Sequence, residues 1–229
     1  MNIAIIPARG GSKRIPKKNI KHFHGKPIIT YSIKAAIESQ CFDRIIVSTD
    51  DDEIASISKA HGAEVPFKRP QLISDDYTGT TEVISHAINW IINQKENINF
   101  VCCLYPTAPF IQPHDIRFSL KKLQAEDADF CFSVTNYMYP IQRSLKINPD
   151  NRCEMFYPEM FNQRSQDLIE AYHDAGQFYW GQTNAWLGKK PIFSNISIPY
   201  KLPSHRVHDI DTLEDWKRAE LMFKSISRL

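Results

Sequence analysis

The strongest constraint on this chain is a rhythm. Short apolar runs at 2–7, 44–49 and 100–104 are each bounded by turn residues, and segments with helical spacing lie between them. Ile29, Ile33, Ala36 and Ile37 recur at that spacing over 27–39, and Ile54 and Ile57 share one face of 51–61. Acidic residues open that second segment and Gly62 stops it. A short strand is expected at 63–66. A helix over 80–94 carries Val83, Ile84, Ala87, Ile88, Ile91 and Ile92, and one over 114–124 carries Ile116, Leu120 and Leu123. Phe130, Phe132 and Val134 alternate as in a further strand. Buried strands alternating with helices predict an α/β fold, a doubly wound, mostly parallel sheet flanked by helices. Ligands then bind beyond the carboxyl ends of the strands. That directs attention to the loops after residues 7, 49 and 104.

The rhythm fails over residues 136–175, where Pro140, Pro149 and Pro158 punctuate scattered aromatic and Met residues. A 40-residue structureless loop does not belong inside a compact domain. The 229 residues therefore read as one domain with 136–175 as an extension that packs on something else, most simply a second copy of the chain. Strands are expected again at 177–180 and 192–198, and a last helix over 212–227.

Composition closes off several classes of function. With 28 Lys+Arg against 26 Asp+Glu, the net charge is +2, too balanced for a general nucleic-acid binder, so any positive site is local. No apolar run has transmembrane length, and residues 1–7 lack the basic lead of a signal peptide. Five cysteines, with no C-x-x-C spacing, suggest neither a disulfide framework nor a zinc site. A reducing cytoplasm is the expected home.

Four clusters offer chemistry. Ala8-Arg9-Gly10-Gly11-Ser12-Lys13, with Lys18 and Asn19, follows the first strand. Two glycines let a backbone curl so that N–H groups converge on an anion, and Arg9, Lys13 and Lys18 add charge suited to a polyphosphate. The spacing is neither G-x-G-x-x-G nor a P-loop, and a plain solvated basic loop is the alternative. Asp209 and Asp211, two apart in an extended segment, point to the same side and suit one magnesium ion. Helix capping by Asp211 or Thr212 is the competing explanation, and it leaves Asp209 unexplained. The third cluster runs from Arg69 to Thr81 and continues at Tyr105-Pro106-Thr107-Ala108-Pro109, where prolines stiffen a loop and a hydroxyl could meet a base or sugar. These are equally ordinary turn residues. The fourth, residues 162–168 with 172–181, is dense in hydrogen-bonding side chains and aromatics, as a sugar pocket requires.

In order along the chain, these pieces resemble a known signature. Ala8-Arg9-x-Gly-Ser12-Lys13-x-Ile15-Pro16-x-Lys18-Asn19, then residues 44–50, Arg69-Pro70, Pro106-Thr107-x-Pro109, Arg164-x-Gln166-Asp167 and Asp209-x-Asp211, are similar to the nonulosonic acid cytidylyltransferases, the CMP-sialic acid synthetase-like family. Tyr172-His173-Asp174-Ala175-Gly176-Gln177-Phe178-Tyr179-Trp180 resembles the bacterial branch that acts on pseudaminic acid. The resemblance implies a nucleotide-diphospho-sugar transferase-like fold and an enzyme coupling CTP to a nine-carbon 2-keto sugar acid, with pyrophosphate released, for bacterial surface glycan or flagellin glycosylation. Sialic or legionaminic acid is the alternative substrate, and a non-catalytic nucleotide-binding regulator the alternative class. Arg9, Lys13, Asp209 and Asp211 are the expected catalytic residues. The nucleotide is expected at Ala8, Arg9, Gly10, Gly11, Ser12, Lys13, Lys18, Asn19, Arg69, Thr80 and Thr107. The sugar is expected at Tyr105, Arg143, Arg164, Gln166, Asp167, Asp174 and Tyr179, and Mg2+ at Asp209 and Asp211. Related synthetases are dimers built through an equivalent extension, which implies a homodimer in which Arg143 or Arg164 reaches the partner's sugar.

Overall fold

The computed structural model describes residues 1–226; the end of the last expected helix, from Ser227, lies outside the described residues. Strand β1 (Asn2–Pro7) is followed by two small strands, β2 (His22–Phe23) and β3 (Lys26–Pro27). Then come α1 (Ile29–Ser39), β4 (Arg44–Ser48), α2 (Asp52–Ala60), α3 (Thr80–Asn93), β5 (Phe100–Leu104), α4 (Pro113–Ala125) and β6 (Phe130–Asn136). A hairpin of β7 (Leu145–Ile147) and β8 (Cys153–Met155) leads to β9 (Tyr172–Gln182), α5 (Thr183–Leu187), β10 (Ser197–Lys201) and α6 (Leu213–Ile226).

Six strands form one sheet in the order β10-β6-β9-β5-β1-β4. Five run parallel, and β9 runs antiparallel to both neighbours, β5 and β6. The three loops singled out in the sequence therefore leave the same edge, at the carboxyl ends of the adjacent strands β5, β1 and β4. Because β9 runs the other way, it begins at that edge and delivers its first residues there.

Period-two alternation sorts the core. Ala4 and Ile6 face one side of the sheet with Ile33, Ile54, Ile116 and Leu120; Ile3 and Ile5 face the other with Ile84, Ile88, Ile91 and Trp186. Helices thus cover both faces, as the buried parallel strands require. A third cluster lies outside the sheet: Ile15, Phe23, Phe110, Ile210 and Trp216. It joins α6 to the loop after β1.

The structure corrects four expectations. Residues 63–66 are not a strand; only isolated bridges, Ile46 with Glu64 and Thr49 with Lys68, form there. The strand expected at 177–180 runs over the eleven residues of β9, and its direction breaks the parallel pattern. The strand expected at 192–198 starts at Ser197. Helix α5 and the β2–β3 and β7–β8 pairs are too short to show a period.

The extension expected over 136–175 is shorter at both ends: Asn136 ends β6 and residues 172–175 belong to β9, paired in the central sheet, which leaves 137–171 outside it. Met138, Tyr139, Ile147, Phe156, Phe161 and Ile169 are exposed, three of them to 78% or more. The extension does not fold over the sheet to cover its own apolar side chains.

Candidate active site

The loop after β1 is held by its own backbone and by two neighbours. Ala8 N–H donates to the Ser48 carbonyl (2.9 Å), continuing the β1–β4 pairing by one residue. The Asn19 amide, buried, donates to the Arg9 carbonyl at 2.9 Å and draws the loop closed. Ser12 N–H turns back to the Gly10 carbonyl (3.0 Å). The glycines act differently from the sequence expectation. Neither Gly10 nor Gly11 is in the left-handed region; Lys17 is, at φ 51°. What Gly10 provides is room, since a Cβ there would come within 2.7 Å of the Asp51 carboxylate. The neighbouring Asp50 Oδ1 accepts from Gly10 N–H at 3.0 Å.

The basic side chains gather in two sets. Arg9 Nη1 and Lys13 Nζ both reach Asp76, at 2.6 and 2.5 Å, and Arg9 also donates to the Asp75 carbonyl (2.7 Å). Both cations hold the Asp76 carboxyl below the usual carboxylate range, Lys13 first. Arg14 and Lys18 meet Asp211, at 2.8 and 3.3 Å. The cause of this second meeting is packing. Ile15 and Ile210 are buried in the same cluster, so the residues beside them on the two segments are brought together. Complete burial of an isoleucine contributes about 1.5–3 kcal/mol, enough to fix both segments.

The capping explanation for the aspartates falls on other residues. Thr212 Oγ1 accepts from Asp215 N–H (3.2 Å) and the Asp215 carboxylate accepts from Thr212 N–H (2.9 Å), a reciprocal cap at the start of α6. The side chains of Asp209 and Asp211 take no part in it. The Asp209 carboxyl is raised above its ordinary value, by desolvation first and by the Asp211 charge second. Two carboxylates close enough to repel, neither used as a cap, are a donor set that suits a hard divalent cation. Among the described residues no third carboxylate, His or Cys joins them as a ligand group.

Arg69 follows the bridge to Thr49, its N–H bonded to the Thr49 carbonyl (2.8 Å). Its side chain is 3% exposed, with Asp50 Oδ1 at 3.6 Å from Nη2, and Nε and Nη2 make no hydrogen bond. Burial lowers its pKa, and the nearby Arg9 charge does so further. A buried guanidinium with idle donors beside the basic loop is poised for an acceptor on a ligand.

A second polar set lies where β9 begins. Thr80 Oγ1 and Tyr105 Oη are 3.0 Å apart, the Tyr105 and Tyr179 rings lie 5.4 Å apart, and Tyr179 Oη donates to Asp174 Oδ2 at 2.5 Å. Burial pushes Tyr105 up to about 12 and Tyr179 higher still, so both hydroxyls stay protonated as donors. A shift in the β6–β9 register between Phe132 and Val134 reorients the strand between these two residues. Ser133 Oγ stitches it, accepting from Phe178 N–H (3.2 Å). Thr107 is half-buried in the loop after β5.

The remaining sugar candidates do not join these sets within one chain. Arg164 pairs with Asp167 (2.7 Å) and, with Gln166, stays exposed on the extension. Arg143 donates to the carbonyls of Phe161 and Gln163, and lines a 470 Å3 cavity with Tyr137, His173 and Ser204. A larger cavity of 630 Å3, between α1 and the start of α4, contains none of the expected residues. Sequence reasoning carried Asp50 and Asp76 inside its motifs without giving either a role, and missed the partner role of Arg14. Two adjacent acids at 75–76, opposite a basic loop, were the available signal.

A mostly parallel sheet with a basic loop after its first strand, an arginine set into the next loop and a late pair of aspartates, one of them bound to that basic loop, is the architecture of a nucleotidyltransferase. The cytidylyltransferase family matches residues 3–193, and the chain belongs to that family. A pseudaminic acid cytidylyltransferase of Campylobacter jejuni is 44% identical over 97% of this chain and 96% of its own length. A CMP-N,N'-diacetyllegionaminic acid synthase of Legionella pneumophila is 31% identical over the same shares of the two chains. Among solved structures, CMP:2-keto-3-deoxy-manno-octonic acid synthetase complexed with CTP superposes with a TM-score of 0.70 over 98% of each chain, at 15% identity, and so shares the fold.

Proposed function

We propose that the chain couples CTP to pseudaminic acid, giving CMP-pseudaminic acid and pyrophosphate. The observation that carries the chemistry is the meeting of Arg14 and Lys18 of the basic loop with Asp211, two residues from the uncapped Asp209. The choice of sugar rests on the identity to the Campylobacter relative, well above that to the legionaminic acid synthase. The anomeric hydroxyl attacks the α-phosphorus, its proton passes to solvent, and the bond to the β-phosphate oxygen breaks as pyrophosphate leaves. Arg9 and Lys13, released from Asp76, offset charge on the departing group, while Arg69 holds the nucleotide. Asp209 and Asp211 would hold Mg2+, which supplies Lewis-acid stabilisation of phosphate charge.

Tyr105, Asp174 and Tyr179 present donors and one carboxylate to the sugar, and Thr80, bonded to the Tyr105 hydroxyl, stands with the nucleotide. The exposed aromatics of 136–175 support a two-fold homodimer in which Arg143 or Arg164 reaches the partner's sugar carboxylate. CTP-dependent synthesis belongs to the reducing cytoplasm, where five unpaired cysteines are at home. Pyrophosphate release from CTP with a panel of nonulosonic acids tests the reading: release is expected to be fastest with pseudaminic acid. Faster release with sialic or legionaminic acid would reassign the sugar, and none with any acid would contradict the enzyme.

A further inference from the structure

The turn between β4 and α2 carries three polar residues, and two are accounted for locally. Thr49 Oγ1 accepts from Asp51 N–H (3.1 Å), and Asp51 caps α2 by accepting from Glu53 N–H (2.8 Å) and Ile54 N–H (3.0 Å). Asp50 does neither. Its Oδ1 accepts from Gly10 N–H (3.0 Å) and lies 3.6 Å from Nη2 of the buried Arg69. One carboxylate thus reaches both segments assigned to the nucleotide: the basic loop, through Gly10 N–H, and the guanidinium with idle donors.

Resting on the nucleotide site proposed above, we infer that Asp50 is the positioning residue that aligns the two halves of that site, fixing Gly10 and so the aim of Arg9 and Lys13, while holding Arg69 toward the same ligand. It touches no substrate itself. Its sign makes the inference testable. Removing a negative charge beside a polyanion site strengthens anion binding by electrostatics alone; losing alignment weakens it.

The experiment is calorimetric titration of CTP into the wild-type chain, Asp50→Ala and Asp50→Asn, with thermal melting of each and the KM of the sugar acid. The expected result is CTP binding weakened about tenfold or more in Asp50→Ala, the scale of one charge-assisted hydrogen bond. Asp50→Asn, whose amide oxygen still accepts from Gly10, is expected between the two, and the sugar-acid KM should stay within about twofold. CTP binding equal to or tighter than wild type in Asp50→Ala would overturn the inference, as would an equal rise in the sugar-acid KM. Should Asp50→Ala fail to melt cooperatively, Asp50→Asn decides: weaker CTP binding supports the inference and unchanged or tighter binding overturns it. Absence of CTP binding by the wild-type chain would instead remove the proposed function, and this inference with it.

Discussion

Asp211 is shared. Its two oxygens meet Arg14 and Lys18, and its neighbour Ile210 is buried in the cluster that also takes Ile15. Among the described residues Asp209 has no ion pair, and its pKa is raised. The division of labour predicts different outcomes for neighbouring substitutions. Asp211→Ala and Asp209→Ala should each reduce turnover by at least about a hundredfold, the scale of losing one electrostatic contributor to the transition state, with melting nearly unchanged. Turnover and thermal melting of each variant check this. Retained turnover with a lowered melting point would mean that the aspartates are structural. The sequence alone paired these aspartates on one side of the chain, but left capping open. Only the positions of Thr212 and Asp215 close that question, because a cap is decided by where the helix starts, and helix boundaries are the least legible feature of a sequence.

At the scale of elements, β1, β4, β5 and the five longer helices were legible because each strand is a bounded apolar run and each helix carries an apolar period. Strand β9 was legible only in part. Its direction depends on which strands flank it, a long-range choice that local pattern does not encode, and so the arrival of Asp174 and Tyr179 beside Tyr105 could not be read from spacing. The Gly-rich loop was recognised for its charge, while the close approach of Gly10 to Asp51 could not be read from spacing, since it depends on where β4 delivers the next turn. The cap of α6 gives a pH test. Hydrogen bonds from the Thr212 side chain and backbone lower the Asp215 pKa, so its folded value lies below its unfolded one. Its contribution is therefore complete above the unfolded carboxylate value and is lost as pH falls through the folded value. Asp215→Asn should lower the melting temperature near about pH 6, and the difference from wild type should shrink toward about pH 3. A gap independent of pH would mean that the ionised carboxylate contributes nothing to the cap.

For the whole molecule, the extension over 136–175 is the feature the sequence marked as foreign to the domain, and the structure leaves its aromatics in water. A chain with so broad an exposed apolar patch is expected to cover it. Sedimentation at micromolar protein should give about twice the 26.5 kDa of one chain. Substituting Phe156 and Phe161 together with Ser should shift that species toward one chain and lower sugar-acid turnover more than CTP binding. A fully active species at the mass of one chain would contradict the dimer and any sugar contact across it.

The central claim is that the basic loop, Arg69 and the two aspartates transfer CMP from CTP to a nine-carbon sugar acid. Phosphorus NMR of CTP, pseudaminic acid, Mg2+ and the protein tests it most directly. The expected result is loss of the triphosphate signals with matched growth of one CMP phosphodiester signal and of pyrophosphate. Unchanged CTP, or its conversion to free CMP or CDP without a sugar phosphodiester, would contradict it.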